Sequence, residues 1–109
     1  MQLFLLFLKV ITPFYSTVNN AGVGLFGVLE GQSWKTIQST FDTNVNGVIR
    51  TIRAVLPSMK KEKKGHIINV SSVGGLNGVP FNAVYSSTKF AVEGLTEALA
   101  QELAQFNIK

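Results

Sequence analysis

Two long stretches of the chain carry apolar residues at every third or fourth position, which is the spacing of an amphipathic helix. The first stretch follows Ser33, a favourable N-cap residue, and the second covers residues 82–105. The inward positions predicted for the first helix are Ile37, Phe41, Val45, Val48, Ile52, Val55 and Met59. Those predicted for the second helix are Ala91, Leu95, Ala98, Leu99 and Leu103.

A short extended segment precedes each predicted helix. Residues 15–19 form the first, and the aliphatic run His66-Ile67-Ile68-Asn69-Val70 forms the second, with a composition that suits a covered parallel strand. The order strand, helix, strand, helix predicts an α/β architecture with a parallel sheet. A further strand is expected to begin at Ile108-Lys109.

Composition narrows the class of protein. The chain has 109 residues, 46% hydrophobic and 15% charged, which predicts one ordinary globular domain. The absence of cysteine excludes disulfides and thiolate zinc sites, and a single histidine offers no metal site. A reducing compartment is compatible with this composition, and we expect a cytoplasmic protein.

The net charge of +4 comes largely from the run Lys60-Lys61-Glu62-Lys63-Lys64. The run lies between an apolar periodic stretch and a predicted strand, where a solvated helix end is the usual explanation. No aromatic residues interleave with it, as a single-strand binder would require. We therefore expect no nucleic-acid partner.

The N-terminus has an apolar run, Leu3 to Leu8, that fits no standard segment. It is shorter than the ~20 residues of a membrane span, and it lacks the basic leader and cleavage site of a secretory signal. A weak membrane anchor, a buried strand and a non-native leader all stay open. We divide the chain into an atypical leader, residues 1–16, and a domain, residues 17–109.

Tyr85 and Lys89 are four residues apart on the second predicted helix, so their side chains lie on one face. A tyrosine in water ionises near pH ~10, and a nearby ammonium group favours the phenolate. The pair could therefore work as an acid and base at neutral pH. A Tyr and a Lys also occur at this spacing by chance.

Two further candidates lie elsewhere in the pattern. Ser71 and Ser72 end the second predicted strand, where ligands bind in open parallel sheets; a serine there can donate to a substrate oxygen or merely cap the chain. Asn44, with Asn46 and Gly47, interrupts the first helix and predicts a kink or local irregularity. The alternative for Asn44 is a core asparagine with satisfied hydrogen bonds.

Taken together, these motifs resemble the short-chain dehydrogenase/reductase family from about Val18 to the C-terminus. Their order and spacing agree with the family pattern, including the thirteen positions from Ser72 to Tyr85. The matching residues are Asn19-Asn20-Ala21-Gly22, Asn44 with Gly47, Asn69-Val70-Ser71-Ser72 with Gly75, and Tyr85 with Lys89.

The resemblance implies the fold, the cofactor and the roles of these residues. The fold would be part of a Rossmann-like, doubly wound parallel sheet, and the cofactor NADP or NAD. Tyr85 would be the general acid and base, assisted by Lys89, which would also hold the nicotinamide ribose. Ser72 would polarise the substrate oxygen, and Asn44 would position a water linked to Lys89. The residues expected to brace the sheet and touch the cofactor are Asn20, Ala21 and Gly22.

Within the family, the segments 22–27, 42–44, 54–57 and 105–108 are most similar to retinol dehydrogenases and 17-beta-hydroxysteroid dehydrogenases. This similarity implies a lipophilic alcohol or ketone substrate. Two features of the family have no counterpart in this sequence. One is the opening strand with its glycine-rich phosphate turn, and the other is the residue at the end of the second strand that selects NAD or NADP. The spacing of Gly22, Gly24 and Gly27 matches the pattern G-x-G-x-x-G. These glycines lie in the family's later loop, however, and are not the dinucleotide fingerprint.

We therefore expect the chain to correspond to the middle of the family's domain. It would be a truncated gene model or a splice product, with native sequence starting near Thr17. The complete protein would be an oxidoreductase that transfers a hydride between NAD(P) and a lipophilic alcohol or ketone. The alternative is a non-catalytic fragment that docks on a full-length homologue. In the family the two long helices build the dimer interface, so a homo-oligomer is expected. The isolated chain is expected to be marginally stable or to associate.

Overall fold

The computed structural model of the protein describes residues 16–109. The apolar run Leu3 to Leu8 lies outside the described residues, so the membrane anchor, the buried strand and the non-native leader all stay open. Of the leader, residues 1–16, the structure describes Ser16.

Two parallel strands form the centre of the fold. β1 (Ser16–Asn19) pairs with β2 (His66–Asn69) so that Asn19 lies opposite Asn69. On the other edge of β2, Gly65 forms a parallel bridge with Ile108, and the Ile67 amide donates to the Lys109 carbonyl at 2.7 Å. These contacts confirm the predicted parallel sheet and the predicted start of a further strand at Ile108.

The connection between β1 and β2 is a long helical segment. It consists of α1 (Trp34–Phe41), a π-helical turn (Asp42–Asn46) and α2 (Gly47–Glu62). Ser33 caps α1 as predicted, because its hydroxyl accepts a hydrogen bond from the Thr36 amide at 3.1 Å. The second long helix, α3 (Ala83–Leu103), follows β2 and a loop that contains a short 3-10 turn.

The irregularity predicted around Asn44 is the π-helical turn. Here the Gly47 amide donates to the carbonyl of Asp42, five residues earlier, instead of four. A π-helical turn accommodates one extra residue in a helix and occurs often at functional sites. Its effect here is to turn the Asn44 side chain inward, where it is only 1% exposed.

The core lies between α2, α3 and one face of the sheet. One cluster contains Val48, Ile52 and Val92, and the other contains Val55, Met59, Leu103 and Ile108. The prediction for α2 is therefore confirmed. The prediction for α3 is confirmed for Leu95, Leu99 and Leu103, which pack in these clusters, and is wrong for Ala98, which is exposed. The apolar stripe missed Val84 and Val92, which are buried on α3 together with the polar Thr88 and Lys89.

The basic run is a solvated helix end, as predicted. α2 ends at Glu62, and Lys63 follows in the left-handed conformation with φ 53°. All four lysines of the run are exposed. Among residues 16–109, no helix is long and apolar enough to cross a membrane.

The second face of the sheet is uncovered by the described residues. Val18, Ile68 and Val70 lie on this face and are 58%, 51% and 42% exposed. Exposed aliphatic side chains on a parallel sheet are unusual, because helices normally cover both faces. Such a surface is the physical basis of the prediction that the isolated chain is marginally stable or associates.

Candidate functional site

The candidate site lies at the carboxyl ends of β1 and β2, where the two following loops meet. The Gly27 amide donates to the Phe81 carbonyl at 2.7 Å, and the rings of Phe26 and Phe81 pack with centroids 6.2 Å apart. In open parallel sheets this edge is where ligands bind. The loops thus hold the residues of both βα units beside one another.

Asn44 is the most completely hydrogen-bonded side chain of this region. Its Oδ1 accepts from the Val23 amide at 2.8 Å, and its Nδ2 donates to the Val23 carbonyl at 2.9 Å. The second Nδ2 proton is donated to the Thr88 hydroxyl at 3.1 Å. Asn44 is therefore a satisfied core asparagine, and it also joins the loop after β1 to α3.

Lys89 is buried and points into the space beside Asn44. Its ammonium Nζ donates to the Val70 carbonyl at 3.3 Å, and the residue is only 7% exposed. A Cβ placed on Gly22 would lie 3.4 Å from Lys89 Nζ and 3.5 Å from Asn44 Oδ1. The structure thus brings together three of the predicted site residues, with the missing side chain of Gly22 leaving space between the other two.

Tyr85 and Ser72 meet on either side of Gly74. A Cβ placed on Gly74 would lie 3.6 Å from Tyr85 Cε1 and 3.7 Å from Ser72 Oγ. Ser72 Oγ accepts from the Gly74 amide at 3.2 Å, so it caps the turn and still keeps its own proton to donate. Ser72 Oγ and the Tyr85 ring therefore lie near the same glycine, and a serine hydroxyl and a phenol can each donate a hydrogen bond to a substrate oxygen.

Lys89 lies beside the Tyr85 ring. Its Nζ is 5.7 Å from the ring centroid, within the distance at which a cation interacts with an aromatic face. The side-by-side placement predicted from the four-residue spacing is confirmed. The positive charge therefore lies near the Tyr85 ring on α3.

The turn that carries Ser72 is packed tightly on α3. A Cβ placed on Gly75 would lie 2.6 Å from Ser71 Oγ and 3.1 Å from the Lys89 carbonyl oxygen. Only a residue without a side chain lets the two backbones approach this closely. Among residues 16–109, Ser71 Oγ is buried and has no hydrogen-bond partner. Of the two serines, it is therefore Ser72 whose hydroxyl forms a hydrogen bond in the turn.

Asn20 and Ala21 are exposed and line a cleft of about 450 Å³ beside the π-helical turn. At the same cleft, the hydrogen bond from Arg50 holds the pKa of the Asp42 carboxyl below its usual range. Both partners of this ion pair are exposed, so it adds little stability. Asn20 and Ala21 therefore lie at this cleft, and their contact with the cofactor stays a prediction.

Sequence reasoning missed several polar contacts between elements of the fold. Asn19 donates to Asn69 Oδ1 at 2.8 Å, and Asn69 donates to Thr96 on α3 at 3.0 Å. Thr88 was missed in the same way. A usable signal was present, because an asparagine inside an aliphatic strand and two threonines eight residues apart on one helix face indicate buried polar pairs.

The donor set fits the ribose end of a nicotinamide cofactor. A buried ammonium beside a glycine offers a hydrogen-bond donor together with room for a ligand group, and its Nζ lies 5.7 Å from the centroid of the Tyr85 ring. The residues that would hold such a group are Lys89, Tyr85 and the Gly22 backbone.

Comparison with known families and proteins agrees with this geometry. A family model described as short chain dehydrogenase matches residues 8–109. The chain is 60% identical over 91 residues to retinol dehydrogenase 8 of Bos taurus, a match that covers 84% of this chain and 29% of that protein. It is 47% identical over 91 residues to human 17-beta-hydroxysteroid dehydrogenase type 1, covering 84% and 28%.

Solved structures give the same result. A metagenomic short-chain oxidoreductase in complex with NADP superposes with a TM-score of 0.93 at 34% identity, over 98% of this chain and 49% of that one. The predicted Rossmann-like α/β fold is therefore confirmed. The chain spans less than a third of the length of the two dehydrogenases above.

Proposed function

Because the chain belongs to the short-chain dehydrogenase/reductase family, we propose that it carries the proton-transfer half of an oxidoreductase site. The complete protein would transfer a hydride between NADP or NAD and a lipophilic alcohol or ketone. The observation that carries this proposal is the convergence of Ser72 and Tyr85 at Gly74, with Lys89 beside the same phenol.

Each residue has a distinct task in this reaction. The Ser72 hydroxyl, whose proton is uncommitted, donates to the substrate oxygen and holds it next to the phenol. Tyr85 gives that oxygen its proton during reduction, or takes it during oxidation, and the Lys89 charge stabilises the phenolate that reduction leaves. The cofactor, when bound, supplies or accepts the hydride at the carbon.

The surface around the site supports an apolar substrate. Val73, Leu76 and Phe81 from the loop before α3 are 77%, 67% and 56% exposed, and Phe26 from the facing loop is 74% exposed. The rings of Phe26 and Phe81 pack against each other, and exposed apolar patches mark interaction or ligand-binding sites. The names of the retinol and 17-beta-hydroxysteroid dehydrogenase relatives agree with this substrate class.

The test is turnover of such substrates by the 109-residue chain and by the longest natural chain that contains it. Each is mixed with NADPH or NADH and a retinoid aldehyde or a 17-ketosteroid, and loss of reduced-nicotinamide absorbance is followed. We expect turnover with at least one of these pairs by the longer chain. No turnover and no cofactor binding by either chain would contradict the proposal.

Gly22→Ala is expected to lower activity while leaving the fold intact. The added methyl would make ordinary contacts with Lys89 Nζ and Asn44 Oδ1 at 3.4 and 3.5 Å, so it would fill their shared space without a clash. We expect a drop of about 10²-fold in kcat/KM because the methyl blocks the space beside the ammonium that a ligand group would occupy, measured with thermal unfolding in parallel.

The matched control for that variant is Gly24→Ala, since a Cβ on Gly24 would meet nothing within 4 Å. It should retain the activity and the melting temperature of the parent. Equal losses in the two variants would show that the glycine-rich loop, and not the space beside Lys89, is what matters.

A second candidate function is a non-catalytic one, docking on a full-length homologue through the long helices. Two exposed aromatic residues favour it, because Trp34 on α1 is 76% exposed and Phe90 on α3 is 47% exposed. A fragment of this kind would bind no NADPH and would shift a full-length homologue on a sizing column. Phe90→Glu should abolish that shift. We also propose that the protein is cytoplasmic and that it forms a homo-oligomer.

A further inference from the structure

Thr88 is placed between the two residues on which the proposed chemistry depends most. It lies on α3 three residues after Tyr85 and directly before Lys89, and it is 0% exposed. Its hydroxyl donates to the Tyr85 carbonyl oxygen at 2.6 Å and accepts from Asn44 Nδ2 at 3.1 Å. The proton of this hydroxyl and one of its lone pairs are thus both in use.

The first of these hydrogen bonds is common, since a threonine in a helix often donates to a carbonyl one turn earlier. The second bond distinguishes Thr88, because it joins α3 to the π-helical turn. Asn44 has both amide protons committed, one to the Val23 carbonyl and the other to Thr88. Asn44 is therefore held at one end by the loop after β1 and at the other by α3.

This pair lies next to the Lys89 ammonium. Lys89 Nζ and Asn44 Oδ1 both border the space beside Gly22, and they come from different elements. Thr88 connects the helix turn that carries Tyr85 and Lys89 to Asn44.

We propose that Thr88 is a positioning residue, whose hydroxyl holds the Tyr85–Lys89 turn of α3 in register with Asn44 and Gly22. The inference deepens the proposed function and rests on it. Thr88 touches neither substrate nor cofactor in this role. It acts through Asn44 and through the Tyr85 backbone.

The experiment compares Thr88→Val with Thr88→Ser in the full chain. Valine keeps the buried shape and removes both hydrogen bonds, whereas serine keeps the hydroxyl. We expect Thr88→Val to lower kcat by about 10²-fold, the size of effect that a small displacement of a catalytic group produces. Thr88→Ser should recover most of the lost kcat, because its hydroxyl can form the same two hydrogen bonds.

The same helix offers a matched control in Thr96. Its hydroxyl donates to the Val92 carbonyl at 2.7 Å and accepts from Asn69 Nδ2 at 3.0 Å, the same pair of bonds two turns further along α3. Thr96→Val should therefore destabilise the fold to a similar degree and leave kcat unchanged. Equal losses of kcat in the two valine variants would overturn the proposal, because they would reduce Thr88 to a structural role.

A second readout does not depend on turnover. The chain has two tyrosines, Tyr15 and Tyr85, so the ring resonance of Tyr85 can be assigned with Tyr85→Phe. This resonance should move in Thr88→Val, return towards its parent position in Thr88→Ser and stay in place in Thr96→Val. An unmoved resonance in Thr88→Val would overturn the positioning role, whereas absence of turnover in the parent would contradict only the proposed function.

Discussion

Tyr85→Phe is expected to reduce turnover by about 10²- to 10⁴-fold, the contribution of a positioned general acid or base. Phenylalanine keeps the ring that packs near Gly74 and Lys89 and removes only the oxygen that exchanges the proton. Among residues 16–109 no hydrogen bond to this oxygen is formed, so its removal leaves no buried group without a partner. The fold should therefore survive the change.

The measurement is kcat and KM for NADPH-dependent ketone reduction, with circular dichroism to check the fold. The fall should appear in kcat, since proton transfer takes place only in the transition state. Ser87→Ala is the control, because Ser87 is on the same helix, is exposed and bonds only to the Ala83 carbonyl. If Tyr85→Phe kept the parent's kcat, the proton donor would have to be another group and the assignment of Tyr85 would fail.

Gly75→Ala is expected to damage both stability and activity. The new methyl would lie 2.6 Å from Ser71 Oγ, which can rotate away, and 3.1 and 3.2 Å from the backbone O and C of Lys89, which cannot. Overpacking of this kind costs about 1–3 kcal/mol. Because the turn must move off α3, the Ser72 hydroxyl should also move away from Tyr85.

Chemical unfolding and kcat/KM, measured on the same preparations, test this prediction. Gly78→Ala is the matched control in the same loop, since a Cβ there would meet nothing within 4 Å, and it should behave like the parent. A Gly75→Ala protein with parent stability and activity would show that the loop and α3 can separate without consequence.

The sequence alone was sufficient for the order of the elements and for most of the core. Apolar periodicity depends on local geometry, so it placed α2 and its inward positions Val48, Ile52, Val55 and Met59 correctly. The Ser33 cap and the irregularity near Asn44 also follow from local preferences. For the same reason the placement of Tyr85 and Lys89 on one side of α3 could be predicted from their spacing.

The tertiary structure decided what those residues touch. No local rule connects Asn44 with Val23 or with Thr88, which are 21 and 44 positions away, because such contacts depend on how α3 packs across the π-helical turn. Nor does the amino-acid sequence of the loop reveal that Gly74 lies near Tyr85 and Gly75 near the Lys89 backbone. For the same reason the apolar pattern did not show that Thr88, Lys89 and Val92 are also buried on α3.

What the sequence by itself determined about this protein is its fold class, its element order and the candidate residues for proton exchange. Those properties follow from propensity, periodicity and side-chain chemistry, which act over a few neighbouring residues. The tertiary structure decided which of those residues lie near one another and which hydrogen bonds hold them there. Burial of a polar side chain is tolerated only when a partner from another element satisfies it, and that partner becomes identifiable only once the chain has folded.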